Sequence, residues 1–223
     1  MEMGNFLNHV KMAGVLVAGI CFLVPGFSAE VRVSEPIPLD QVANMGFADD
    51  DPDDGKGGWN DQGSENDLRS FTPGKLTLRG IRFAVTDPAK NGGKGCLVLS
   101  LERTPKQKSA VVRLERPRRM NYLALLHATA WTPLAGTPIG SVVFHYEDGS
   151  RSEVVIRAGE HVGNWWSPDT LSNGRVAWRG FNKYSDVGLY LSEIPVEAKP
   201  VTEIEFICHP RELTQKPHQW MIV

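Results

Sequence analysis

Residues 121–159 decide the fold of this chain: NYLALLHATAWTPLAGTPIGSVVFHYEDGSRSEVVIRAG. Three short runs rich in Val, Ile, Leu and aromatic residues are separated by segments that contain Pro or Gly. The second and third runs are joined by EDGS, and an Asp-Gly pair between alternating apolar residues is a strong hairpin signal. The stretch therefore predicts consecutive antiparallel strands rather than helices.

The same pattern continues on both sides of this stretch. Fifteen prolines and 22 glycines interrupt the chain at short intervals. Further strand-like runs are LTLRGIRFAV (76–85), GCLVLSL (95–101), SAVVRLE (109–115), GLYLSEIPV (188–196) and VTEIEFICH (201–209). Short strands at regular spacing with turn signals between them are typical of sandwiches and barrels. We therefore expect an all-β fold, an antiparallel two-sheet β-sandwich of the jelly-roll kind, as a single domain over residues 30–223.

Alternation along the strands assigns their faces. Side chains of a strand point to opposite faces in turn, and we assign the set that contains Leu126 and Phe144 to the core. His127 and His145 then lie on the other face. If the two strands pair antiparallel around a loop centred on Gly136, His127 faces His145 directly.

Residues 1–29 have the pattern of a secretory signal peptide. Lys11 precedes an apolar run, residues 12–27, which is short for a membrane span of about 20 residues. Small residues follow, and cleavage after Ser28 or Ala29 gives a secreted or periplasmic protein. The alternative is an uncleaved membrane anchor. The rest of the sequence holds no second apolar run, so no transmembrane segment is expected after cleavage.

Charge and cysteine content narrow the partners and the chemistry. The net charge is −2, and the small basic cluster at residues 113–120 is interrupted by Glu115 and Pro117, which argues against a nucleic-acid partner. Cys96 and Cys208 remain after the signal peptide, an even number in an oxidising compartment. They either form a disulfide or are two buried free thiols.

The most acidic part of the chain is FADDDPDDGKGGWNDQGSENDLRSF, residues 47–71, with eight carboxylates. Like charges at close range repel, and only a cation or solvent relieves them. Ca²⁺ takes six to eight oxygen ligands from flexible loops, although the spacing here is not that of an EF-hand. The stretch is therefore either a structural calcium site or a solvated acidic turn.

Two adjacent tryptophans, Trp165 and Trp166, lie in the turn-forming segment HVGNWWSPDTLSNG. Indole has an apolar face and a polar N–H, a combination that suits sugar rings. Neighbours on a strand face opposite sides, so we expect one ring in the core and one exposed. We expect Trp165 or Trp166 to contact the ligand, with help from His127 and His145.

Catalytic motifs are scarce in the sequence. It has no Gly-x-Ser-x-Gly, no His-Glu-x-x-His and no Cys-x-x-Cys. The one cluster with acid–base potential is His127, His145, Tyr146 and Glu147. Glycoside hydrolysis needs only two opposed carboxyls, which a sequence does not exclude.

Several segments in order resemble one known module: the acidic stretch, GIRFAVTDPAKNGGKGCLVLS, LALLHATAW, YEDGS, NWWSPD, VAWRGFN and GLYL. Together they resemble the galactose-binding-like β-sandwich module of secreted bacterial proteins, often attached to agarase- and β-galactosidase-type glycoside hydrolases. The resemblance covers residues 37–223. Here SEIPVEAKP follows GLYL, where related chains often have a tryptophan and Asn-Pro.

The resemblance implies a non-catalytic carbohydrate-binding module for a neutral galactose-type polysaccharide. It also implies that the acidic loop is a common place for a structural cation, and we expect Ca²⁺ ligands among Asp49, Asp51, Asp61, Asn66 and Asp67. The alternatives are a jelly-roll polysaccharide lyase or glycoside hydrolase, and a structural or interaction domain of the cell envelope.

Overall fold

The computed structural model describes residues 34–211 and 217–223. The expected signal peptide, residues 1–29, lies outside the described residues. The described residues belong to one compact unit that spans residues 33–223. In the part of the chain that the structure describes, no helix has the length and apolar character that crossing a membrane requires.

The regular secondary structure of the described residues is almost all strand, with one short 3₁₀ helix at Pro88–Lys90. In chain order the strands are β1 (Gly74–Leu78), β2 (Ile81–Val85), β3 (Leu97–Leu99), β4 (Ser109–Arg119), β5 (Tyr122–Ala130), β6 (Pro138–Tyr146), β7 (Arg151–Arg157), β8 (Arg175–Phe181), β9 (Asp186–Pro195), β10 (Pro200–Cys208) and β11 (Gln219–Ile222). The prediction of an all-β, antiparallel fold is confirmed.

The strands form three antiparallel sheets. The β1–β2 hairpin forms the first, two-stranded sheet. The second sheet has four strands in the order β4-β10-β6-β7, and the third has five strands in the order β3-β11-β5-β9-β8. The Asp-Gly turn predicted from EDGS joins β6 to β7, with Gly149 at a φ of 79°. The run at 76–85, predicted as one strand, is instead the β1–β2 hairpin, which turns at Arg79 and Gly80.

The two larger sheets share one hydrophobic core. Phe144 and Ile204 reach it from the four-stranded sheet, and Leu125 and Trp220 reach it from the five-stranded sheet. This is the arrangement of a sandwich, in which the inner faces of two sheets interdigitate.

A second core covers the other face of the five-stranded sheet. Leu126 and Val187 of that sheet pack there with Phe47, Trp59 and Leu68 of the acidic segment. The face of β5 that contains Leu126 is therefore buried, as predicted. The opposite face, with Leu125, is buried too, because the five-stranded sheet is covered on both sides.

The predicted pairing of β5 with β6 is wrong. β5 pairs with β11 and β9, whereas β6 pairs with β10 and β7. The connection after Ala130 crosses from one sheet to the other, so His127 lies opposite Tyr190 and His145 lies opposite Glu203. The two histidines do not face each other.

Candidate functional site

Carboxylates of the acidic segment hold its backbone in place. Asp49 is 1% exposed, its amide N donates to Oδ2 of Asp67 (2.7 Å), and its own Oδ2 accepts from the amide N of Gly63 (2.7 Å). Asp67 also accepts from the amide and from Nε of Arg69. A segment without regular strands must satisfy its backbone N–H groups in another way, and these side chains do so.

Three carboxylates of the segment converge. Asp49, Asp54 and Asp61 each offer an oxygen, and these oxygens lie within 4.8 Å of one another. Oδ1 of Asp61 accepts from the amides of Asp54 and Gly55 (both 3.1 Å). Burial raises the pKa of Asp49 above its ordinary value, and the nearby Asp61 charge raises it further. Within the described ranges no Lys or Arg nitrogen lies within 4.0 Å of these three carboxylates.

The predicted calcium ligands do not form one group. Asp49 and Asp61 come together, and the sequence reasoning missed their neighbour Asp54. Asp67 forms an ion pair with Arg69, and Oδ1 of Asn66 accepts a hydrogen bond from Trp166 instead. Asp51 is exposed. The three convergent carboxylates have the hard oxygen chemistry that Ca²⁺ prefers, and backbone carbonyls or water would complete a coordination of six to eight.

The tryptophan pair divides into a buried ring and a partly exposed one, so the ring expected to be exposed still packs in part against the core. Trp165 is 3% exposed and packs edge-on against Trp59, with ring centroids 5.3 Å apart. Trp166 is partly exposed, and its Nε1 donates to Oδ1 of Asn66 (2.9 Å). The hydrogen bond fixes the orientation of the Trp166 ring at the surface.

Asn66 also binds the hairpin loop between β8 and β9. Its Oδ1 accepts from Nδ2 of Asn182 (2.8 Å), and its Nδ2 donates to Oε1 of Gln62 (2.8 Å). Next to it, the two oxygens of Glu65 accept from Nζ of Lys183 and from the hydroxyl of Tyr184. The result is a surface of aromatic, amide and charged groups, which we call the Asn66 surface: Glu65, Asn66, Trp166, Asn182, Lys183 and Tyr184.

Sequence reasoning found two members of the Asn66 surface, Trp166 and Asn66, and assigned them different roles. It missed Glu65, Asn182, Lys183 and Tyr184. Asn66 and Asn182 lie 116 residues apart in the sequence, and no local pattern signals that they meet.

His127 is not at the surface. It is fully buried on the inner face of β5, where its Nδ1 accepts from Nε1 of Trp220 (3.2 Å). Its Nε2 lies 3.1 Å from both the carbonyl oxygen of His161 and Oγ of Ser192. Burial lowers its pKa from 6.5 to about 3, so the ring is neutral. The expectation that His127 contacts a ligand is wrong, because both faces of its sheet are covered.

His145 lies on the other large sheet, where its Nε2 is 3.1 Å from Oε2 of Glu205. It therefore shares no sheet with Trp166. Tyr146, its neighbour, is 3% exposed and lies 2.5 Å from Oγ of Ser152 through its hydroxyl. The suggested acid–base cluster is not assembled, because His127 and Tyr146 are interior and His145 faces outward.

Of the two alternatives for Cys96 and Cys208, the disulfide is wrong. Both are buried free thiols. Cys96 belongs to the core beneath the acidic segment, and Cys208 belongs to the core between the sheets, so the five-stranded sheet separates them. Burial raises the pKa of both thiols, that of Cys208 to about 12.

Comparisons with protein-family models, curated proteins and solved structures gave no match for this chain. The functional argument therefore depends on the geometry of the described residues.

Proposed function

We propose that the protein is a secreted or periplasmic, non-catalytic carbohydrate-binding domain that binds a neutral galactose-type polysaccharide at the Asn66 surface. The observation that carries the proposal is the Trp166 ring, partly exposed and held by Asn66 beside a second amide, Asn182. An oriented indole presents an apolar face to a sugar ring, and neighbouring amides suit its hydroxyls. The galactose class and the export follow from the sequence patterns and the resemblance.

The expected affinity is modest. A surface with one oriented indole buries little area, so we expect dissociation constants of roughly micromolar to millimolar. Because the ligand is uncharged and the protein carries a net charge of only −2, charge steering contributes little. Binding should therefore change little with salt concentration.

Calorimetric titration with agarose-derived oligosaccharides tests the proposal. Trp166→Ala should abolish binding while the fold is retained. His145→Ala is the control, because His145 lies on the other large sheet and its loss should leave binding unchanged. Unaltered binding by Trp166→Ala would show that Trp166 is not the sugar contact.

We also propose that Ca²⁺ binds the convergent carboxylates of Asp49, Asp54 and Asp61. The raised pKa of Asp49 and the absence of a described cation within ion-pair distance both favour it, because a divalent ion would relieve the repulsion. The ion would stabilise the loop and has no catalytic part.

A further inference from the structure

We propose that Tyr184 is a second sugar contact, an inference that rests on the proposed function. The site would then bind a chain of several sugar units rather than a single terminal sugar. Tyr184 lies in the loop between β8 and β9 and is 57% exposed. Two asparagines, Asn66 and Asn182, link the indole N–H of Trp166 to the backbone amide of Tyr184.

Two side-chain amides connect the Trp166 indole to the backbone of Tyr184. Oδ1 of Asn66 accepts from Nε1 of Trp166 (2.9 Å) and from Nδ2 of Asn182 (2.8 Å). Oδ1 of Asn182 in turn accepts from the amides of Tyr184 and Ser185 (both 2.9 Å). One side chain thus fixes the indole and, through Asn182, the start of the segment that carries the tyrosine.

The loop that carries Tyr184 is fixed on its other side as well. The amide N of Lys183 donates to the carbonyl oxygen of Glu65 (3.2 Å), and the amide N of Asn182 donates to the carbonyl oxygen of Ser185 (3.1 Å). The hydroxyl of Tyr184 and Nζ of Lys183 each bind one oxygen of the Glu65 carboxylate. An exposed aromatic side chain held this firmly loses little conformational freedom when a ligand binds, which favours affinity.

The arrangement suits a glycan chain. Two aromatic residues held by adjoining amides present separate apolar surfaces, and a single sugar ring occupies one of them. A chain that contacts Trp166 with one unit reaches Tyr184 with a later unit. Affinity should therefore rise with chain length.

The chain offers a matched control. Tyr122 is 56% exposed, almost the same as Tyr184, but it lies at the start of β5. Tyr122→Ala removes an equally exposed ring from another part of the protein.

The test is calorimetric titration of the full chain with galactose, galactobiose and galactotetraose. For the unaltered protein the association constant should rise with length. Tyr184→Ala should lower the galactotetraose constant by about tenfold, as expected for one lost aromatic contact, and leave the galactose constant unchanged. Tyr122→Ala should behave as the unaltered protein. Tyr184→Phe keeps the ring and should retain most of the gain with length.

The outcomes separate the two proposals. If Trp166→Ala abolishes binding but Tyr184→Ala retains the full gain with length, Tyr184 is not a contact and the proposed function stands. If Tyr184→Phe loses as much as Tyr184→Ala, the hydroxyl rather than the ring is responsible, and the stacking contact is overturned. If the unaltered protein binds none of the three sugars, the proposed galactose specificity fails, and the role of Tyr184 fails with it.

Discussion

Acid should destabilise this protein through His127, and the structure sets the size of the effect. The Nδ1 atom of His127 accepts the indole N–H of Trp220, so the ring proton is on Nε2, which donates towards Ser192 and the carbonyl of His161. Protonation of Nδ1 would place two N–H donors against each other in the sandwich core. The folded state therefore keeps the ring neutral.

The sign and the magnitude follow from linkage. Burial lowers the pKa of His127 from 6.5 to about 3. The folded-state pKa is depressed, so this contribution to stability is complete above the ordinary pKa and is lost as pH falls towards the folded value. From about pH 8 to about pH 5 the loss is about 2 kcal/mol, rising to about 5 kcal/mol below pH 3.

His127→Gln isolates this contribution, because glutamine offers an acceptor to Trp220 and a donor to His161 without titrating. Urea unfolding of both proteins at about pH 8 and about pH 5 gives two free-energy differences, and the unaltered protein should lose about 2 kcal/mol more than the variant. His161, His209 and His218, whose pKa values are also lowered by burial, are common to both proteins and cancel. Equal losses would mean that His127 titrates normally, and the buried neutral ring would be refuted.

Three further predictions concern the cores and the acidic segment. Trp165→Ala should lower the free energy of unfolding by about 3–5 kcal/mol and Trp166→Ala by much less, as measured in urea; equal losses would contradict the division of the pair. Calcium should raise the melting temperature above that measured in chelator. At a hundredfold excess over its dissociation constant, the ion should add about 2.7 kcal/mol to the free energy of unfolding. Asp49→Asn should remove this gain, and without calcium it should be at least as stable as the unaltered protein at neutral pH, because the raised pKa makes ionised Asp49 costly there. Identical melting curves of the unaltered protein in calcium and in chelator would contradict calcium binding. Cys96 and Cys208 should both react with a thiol reagent, but only after unfolding; a protein without free thiols in denaturant would contradict the structure.

Local patterns predicted most of the strands and failed at long-range pairing. The turn at Gly149 and the burial of Phe144 in the core are local features, and both are as expected. β5 and β6 lie in different sheets because they pair with strands that come much later in the sequence, namely β9, β10 and β11. Many of the paired residues are 40 or more positions apart, as His127 and Tyr190 are. β8 was missed because its sequence, RVAWRGF, mixes Arg and Gly with apolar residues at a partly exposed edge of the sheet.

The same limit explains why the sequence predicted only part of the candidate site. Alternation indicated that one of Trp165 and Trp166 is exposed, because that question is local. It could not indicate that the partly exposed ring, Trp166, would meet Asn66, 100 residues earlier. The resemblance placed Asn66 and Asp67 with a metal, whereas their contacts are to Trp166 and Arg69.

The acidic segment combines two tasks that its composition does not reveal. Its few large apolar residues, Trp59 and Leu68 among them, cover the outer face of the five-stranded sheet and are fully buried. A loop over an apolar face has backbone amides that water does not reach, and each needs an acceptor. Asp49 accepts from Gly63, and Asp61 accepts from Gly55, so an oxygen acceptor at each position supports the path of the loop whether or not an ion is present. That path also brings Asn66 next to Trp166 and Asn182, at the rim of loops where the proposed ligand site lies.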